Sequence, residues 1–304
     1  MRPIIEVDGL TKSYGATAAV EDVSFQVGEG EIFGILGPNG AGKTTTVEIL
    51  QGLRSPDGGR VRVMGLDPAR QTRQLRRRIG SQLQESALPD RIKVWEALDL
   101  FASVTPGAAD WRLLLERWGL AGKAKASFAS LSGGQRQRLF VALALVGAPE
   151  VVFLDELTQG LDPAARRVAW DLIREIRDAG TTVVLVTHYM DEAEQLCDRL
   201  AVVDGGRVVA MGAPQELIAR SSGTRTVRFS ADHQDIAWLH AIEQVNRVVR
   251  HGESVEVTGT GPVLAVVASE LVGHGIVPED LRVEQPALED VFLELTGKTE
   301  RGDR

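Results

Sequence analysis

The segment Gly37-Pro38-Asn39-Gly40-Ala41-Gly42-Lys43-Thr44 carries the most chemistry in its spacing. It matches G-x-x-x-x-G-K-[ST], follows an apolar run from Ile32 to Leu36, and precedes a stretch of helical character from Thr45 to Leu50. Glycines let successive backbone N–H groups converge on a phosphate without side-chain obstruction. The helix N-terminus adds partial positive charge. In such a cradle the Lys43 ammonium reaches the β- and γ-phosphates of a nucleotide, and the Thr44 hydroxyl is placed to ligate Mg²⁺. Pro38, Asn39, Ala41 and Thr45 complete the expected nucleotide-binding stretch.

A second feature lies at Asp155-Glu156, where the apolar run Val151 to Leu154 ends in two acids. Carboxylates at the end of a buried strand are costly unless something pairs with them. Beside a phosphate loop, Asp155 is expected to hold Mg²⁺ through its shell, and Glu156 to orient and polarise an attacking water. A third feature is Leu131-Ser132-Gly133-Gly134-Gln135. Ser132 is a good helix N-cap, and the glycines expose backbone N–H groups. This is a second anion-binding helix terminus, and one nucleotide does not obviously need two.

The elements that position these residues read as an α/β core. Short strands at Ile4–Val7, Val20–Val27 and Glu31–Leu36 are separated by Gly9, Gly15, Gly28 and Gly30, and another runs from Arg60 to Met64. Helical spacing follows over about 91–120 (Val94, Leu98, Phe101, then Leu113, Leu114, Trp118), broken at Pro106-Gly107. The continuous apolar runs Val151–Leu154 and Val183–Val186 flank a helix of roughly Ala164–Asp178. That pattern indicates parallel strands buried on both faces. Residues 1–220 thus form one expected domain, a P-loop NTPase core with an antiparallel β subdomain and a helical insertion near 85–148.

Ser221-Ser222-Gly223 reads as a linker to a small α+β domain over 221–304. Its expected order is a strand (Thr224–Phe229), a helix (Ile236–Gln244), two strands turning at Gly252 (Arg247–Arg250, Ser254–Thr258), a helix (Val263–Val272), a strand (Ile276–Val283) and a last helix (Leu288–Leu295). The order βαββαβ suits a ferredoxin-like unit. The closing stripe Leu288, Val291, Phe292, Leu295 needs a partner surface, either within this domain or on a second copy of the chain.

Composition narrows the classes. Net charge is −8, and residues 221–304 hold 8 basic against 14 acidic side chains, no footprint for nucleic acid. The Arg70, Arg73, Arg76, Arg77, Arg78 cluster lacks interleaved aromatics and reads as a solvated helix face. The lone Cys197 makes no intrachain disulfide. No run reaches the roughly 18–20 apolar residues of a membrane helix, and no signal-peptide block is seen.

Leu131–Gln135 resembles the signature of ATP-binding cassette (ABC) ATPases, and other positions then fall in order along residues 1–220. Tyr14 resembles the aromatic that stacks on adenine. Gln84 resembles the Q-loop glutamine that links the metal and water site to the helical subdomain, with Gln82 as competitor. Gly160-Leu161-Asp162 resembles the D-loop, and His188 the switch histidine at the γ-phosphate. One departure is Leu157, where the family usually has proline after the glutamate; it loses a fixed φ and no catalytic atom. Residues 82–102 and 284–297 resemble the drug-export branch.

The resemblance implies ATP and Mg²⁺ as cofactors, with Thr44, Asp155 and Gln84 around the metal. It also implies a head-to-tail homodimer in which Ser132, Gly133, Gly134, Gln135 and Asp162 of one subunit complete the other's site. The expected function is the ATP-hydrolysing subunit of an exporter, peripheral on the cytoplasmic face of the membrane and joined to separate integral membrane permease subunits. An importer ATPase shares every nucleotide motif. A soluble regulatory protein that does not hydrolyse nucleotide is expected to lack Glu156 or His188.

Overall fold

The computed structural model describes residues 3–82, 87–220, 225–231, 235–284 and 287–296. It divides into two units, Met1–Pro214 and Gln215–Arg304.

In the first unit, β1 (Pro3–Tyr14) and β2 (Thr17–Gly28) form a long antiparallel hairpin that buries Ile5, Val7, Leu10, Val20, Val23, Phe25 and Val27. The sequence pattern predicts a first strand ending at Val7, before Gly9. The strand instead passes through it: Gly9 takes φ 58° and the register shifts between Val7 and Leu10, so this glycine makes a bulge rather than a turn. Then come β3 (Ile32–Leu36), α1 (Lys43–Leu50), β4 (Gly58–Val63), the short α2 (Thr72–Leu75) and β5 (Ile79–Gln82). The insertion contributes α3 (Val94–Val104), α4 (Trp111–Arg117) and α5 (Gly133–Leu145). The chain returns through β6 (Val151–Asp155), α6 (Pro163–Asp178), β7 (Thr182–Thr187), α7 (Met190–Leu196), β8 (Arg199–Asp204) and β9 (Arg207–Gly212).

Among the described residues nine strands join in the order β4-β1-β2-β9-β8-β3-β7-β6-β5. β8, β3, β7, β6 and β5 run parallel, and β3, β6 and β7 are buried at every position. Their uninterrupted apolar sequences are what a strand covered on both faces requires. Leu36 pairs with Thr187, and Asp155 with Val186. The carboxyl ends of the three strands are therefore level, and whatever follows each one is delivered to one edge of the sheet.

The helical insertion differs from the sequence reading in its inner face. Leu113 is 64% exposed and Phe101 39%. Val94 and Leu98 of α3 and Trp118 just after α4 are buried as the spacing predicts, joined by Ala97 and Leu115. The arginine cluster does not share one helix face, because α2 spans only Thr72–Leu75. Arg78 pairs with Glu150 at 2.6 Å, and Arg76 donates to the Gly52 carbonyl.

The second unit is entered through α8 (Pro214–Arg220). It contains β10 (Arg225–Ser230), β11 (Val245–His251), β12 (Ser254–Gly259), α9 (Val263–Gly273), β13 (Arg282–Glu284) and α10 (Leu288–Thr296). The described strands form an antiparallel sheet, β11-β12-β10-β13. Numbered within the unit this is 2-3-1-4, the arrangement of a split βαβ fold. Two expected elements differ. Residues 236–244 form only a 3₁₀ turn (Ala237–Ala241). Ile236, Leu239 and Ile242 meet the core at every third position, the period of a 3₁₀ helix, with Trp238 packed beside them. The strand expected from Ile276 is confined to Arg282–Glu284, since Pro278 has no N–H for a ladder. In α10, Leu288, Val291 and Phe292 are buried within the single chain, and the Leu295 side chain lies outside the described residues.

Candidate functional site

β3 runs directly into the phosphate loop, and α1 opens at Lys43 with Gly42 as its N-cap. Close approach of neighbouring backbone explains two of the glycines. Gly42 has φ 97°, and a Cβ there would meet the Ala19 carbonyl oxygen at 2.2 Å. A Cβ on Gly37 would meet that of Val203 at 2.1 Å. Pro38, Asn39 and Gly40 are on the open side of the turn, Ala41 is buried, and Thr44 is exposed with Thr45 half-buried behind it. The Lys43 ammonium is 5% exposed and donates to the Gly37 and Pro38 carbonyls at 2.8 and 3.0 Å. Burial lowers its pKa, while the charges of Glu156 and Asp155 oppose that shift.

Asp155 ends β6 and is buried. Burial first, and the neighbouring Glu156 charge second, raise its pKa to about 6, against the pull of Lys43 and of the Thr44 hydroxyl beside it. Its Oδ1 has no hydrogen-bond partner among the described residues. A buried carboxylate with a spare oxygen, a second acid alongside and a threonine hydroxyl within reach is a donor set that suits a hard divalent cation. Glu156 is 9% exposed and sits at φ 50°, a left-handed conformation uncommon for a residue with a side chain. Its N–H donates to the Val186 carbonyl at 2.9 Å, and its Oε1 lies 3.0 Å from His188 Nδ1. Strain of this kind persists only where the surroundings over-determine it.

Lys43, Thr44, Asp155, Glu156 and His188 thus meet at the carboxyl edge of β3, β6 and β7. Leu157, the departure from the family pattern, is buried and lines a cavity of about 150 Å³ with Trp118, Val141, Leu161, Leu172 and Ile173. Burial of this apolar side chain, rather than a fixed φ, holds the turn in place.

The remaining predicted residues lie elsewhere. Ser132 caps α5, accepting from Gln135 N–H at 3.4 Å while Gln135 Oε1 accepts from Ser132 N–H at 3.1 Å. Ser132 and Gly133 are exposed. The Asp162 carboxylate caps α6, accepting from Ala164 and Ala165 N–H at 3.0 and 2.9 Å. Tyr14, 42% exposed, ends β1 with Arg54 and Lys12 against its ring at 5.4 and 5.7 Å. Gln84 lies outside the described residues; Gln82 is buried at the end of β5. Sequence reasoning passed over Glu192. An acid four residues beyond His188 on a short helix gives no signal until its burial is seen.

The model of the family described as "ABC transporter" matches residues 20–159. Daunorubicin resistance ATP-binding protein DrrA3 of Streptomyces coeruleorubidus is 40% identical over 98% of this chain and 97% of its own length. Nod factor export ATP-binding protein I of Ralstonia nicotianae is 39% identical over 98% and 95%. Among solved structures, cbiO1 from Clostridium perfringens, described as part of an ABC transporter complex, matches with a TM-score of 0.66 at 29% identity, covering 72% of this chain and 92% of that one. The chain belongs to the ABC transporter family; it is an ATP-binding subunit of that family, and an ATPase.

Proposed function

We propose that this ATPase powers efflux of a drug-like or lipid-like compound through separate integral membrane subunits, acting as a head-to-tail homodimer on the cytoplasmic face of the membrane. The carrying observation is the unequal pair of phosphate-type helix termini. The one at α1 faces its own acids and histidine, while the one at α5 is exposed, with no such acid–histidine pair bonded to it among the described residues. A second copy brought head to tail sets the α5 terminus against the first copy's α1 site, and a two-fold interface makes both sites at once. The names of the relatives, which speak of drug resistance and of export, favour outward transport. No described helix is long and apolar enough to cross a membrane, which agrees with a division of labour between chains.

Within the site, the backbone N–H groups of residues 39–44 and the Lys43 ammonium bind and orient the β- and γ-phosphates. Tyr14 offers its exposed face to the base. Glu156 accepts the proton of the attacking water, and His188 holds the Glu156 carboxylate and the γ-phosphate in register. Thr44, Asp155 and Gln84 would hold Mg²⁺, which supplies neutralisation of the charge developing on the transferred phosphoryl group. Asp162 and Ser132–Gln135 act across the interface.

The cleft suited to a membrane subunit is lined by Leu53, Phe101, Leu88 and Phe140, with Arg76 and Arg77 at its rim, next to Gln82. The test is transport. Cells expressing the chain together with an integral membrane subunit of an ABC exporter are loaded with daunorubicin, and retained drug is measured. Lower retention with the wild type than with Glu156→Gln supports export; equal retention across substrates, or higher retention with the wild type, overturns it.

A further inference from the structure

Glu192 on α7 is wholly buried, and the chemistry above makes no use of it. Its Oε1 accepts from Trp170 Nε1 of α6 at 3.2 Å. Two threonine hydroxyls face the same carboxyl, those of Thr187 and Thr158. Thr187 is the residue before His188, and Thr158 is the second residue after Glu156. Thr187 Oγ1 accepts from Tyr189 N–H at 3.0 Å, which leaves its own proton to point at Glu192. Thr158 Oγ1 and Glu192 Oε2 are both fully buried, and neither has a hydrogen-bond partner within bonding geometry among the described residues, so the two lie against each other as the polar atoms available to one another. Burying a carboxyl at this position is costly and needs a return.

The return is geometric. Glu156 and His188 follow different strands, and their 3.0 Å contact depends on how the ends of β6 and β7 are held. The left-handed backbone at Glu156 needs support from outside its own turn. We propose that Glu192 is a positioning residue, tying the turn that carries Glu156 to the strand end that carries His188, with Trp170 as the anchor that fixes its carboxyl. Burial raises the Glu192 pKa against the three hydrogen-bonding groups around it. A neutral amide of the same shape therefore fits the pocket.

The inference rests on the assignment of Glu156 and His188 above, and the experiment separates the two. Full-length Glu192→Ala, Glu192→Gln and Trp170→Phe are made alone, and Glu192→Ala is also combined with His188→Ala. Steady-state kcat and KM for Mg-ATP are measured with the melting temperature. Glu192→Ala is expected to lower kcat about tenfold with KM nearly unchanged, the effect of a small misplacement of reacting groups. Glu192→Gln should restore kcat to within about twofold of wild type, since one hydrogen-bonding edge is kept. Trp170→Phe should lower kcat in the same direction but less, about two- to threefold with KM nearly unchanged, because it frees the carboxyl it anchors; unchanged kcat in a folded Trp170→Phe overturns the anchoring role. In the His188→Ala background Glu192→Ala should cost nothing more, because the geometry it maintains is already lost.

An additive loss in that background, or wild-type kcat in a folded Glu192→Ala, overturns the inference. If Glu192→Ala does not fold, Glu192→Asp against Glu192→Gln decides. Asp is one methylene too short to reach the threonines and should lose kcat where Gln does not, and equal kcat overturns the inference. Unchanged turnover in His188→Ala alone would overturn the underlying assignment, and this inference with it. Lost turnover there beside an unaffected Glu192→Ala removes only the inference.

Discussion

Two helices of the first unit begin at glycine-rich turns, and their N-termini are built for different company. At α1 the buried Lys43 is folded onto its own loop, with Asp155 and Glu156 near enough to shift its pKa and His188 against Glu156. At α5 the first turn is satisfied by a reciprocal Ser132–Gln135 cap and is otherwise open to solvent. The same anion-binding backbone device thus occurs once inside a complete constellation and once as a bare surface. A helix terminus supplies binding. Chemistry needs acids and a base brought in from other strands.

The largest test of this contrast is at the complete site. Glu156→Gln is expected to bind ATP normally while steady-state hydrolysis falls about 10²–10⁴-fold, the range for loss of a general base. Lys43→Ala should weaken binding and turnover together, because it removes the cradle's charge in the ground state as well. Nucleotide titration beside a phosphate-release assay separates the two. Wild-type-like hydrolysis by Glu156→Gln would sink the assignment.

The bare terminus is probed by Ser132→Arg. ATP affinity of the monomer should stay within about twofold, whereas nucleotide-driven dimerisation should be lost, since a bulky cation now occupies the surface a second phosphate site would use. Size-exclusion chromatography with Mg-ATP in a Glu156→Gln background reads this. Dimerisation equal to that of the parent would mean that α5 does not complete a composite site.

A smaller effect concerns the electrostatic cost of the complete site. The folded-state pKa of Asp155, about 6, lies above its ordinary 3.8. Between these values the folded protein binds more protons than the unfolded one, so stability contributed by this group is lost as pH rises. Asp155→Asn, free of nucleotide and metal, should therefore be more stable than wild type above pH 6, by an amount of order 1–3 kcal/mol. The difference should close below about pH 4. Chemical denaturation of the two proteins across pH measures it, and a gap independent of pH would assign the shift to something else.

The smallest expected change is at Asp162, whose carboxylate is exposed and caps α6. Asp162→Ala should cost about 1 kcal/mol of stability through the lost cap. If its role across an interface is also real, ATP-driven dimerisation should weaken beyond what the stability loss explains, and a purely structural cap would leave it unchanged.

What the sequence alone determined is the material that acts locally. A glycine-lysine-threonine turn after an apolar strand makes a phosphate cradle whatever surrounds it, and Pro163 after Asp162 or Gln135 after Ser132 specifies a helix start within one turn. The uninterrupted apolar runs at Val151 and Val183 similarly demanded burial on both faces, hence a parallel core. Other features depended on partners far along the chain. Gly9 became a bulge because β2 and β4 hold both sides of β1. Residues 236–244 tightened into a 3₁₀ turn because the core accepted every third side chain. Phe101 and Leu113 were apolar yet outward. Only the tertiary structure could show that Leu36, Asp155 and Thr187 end at one level, that Glu156 is held at φ 50° against His188, and that Glu192 is wholly buried. These are relations between strand ends separated by 32 residues (Glu156 and His188) to 151 (Leu36 and Thr187), fixed by sheet register and burial, and no local pattern encodes them.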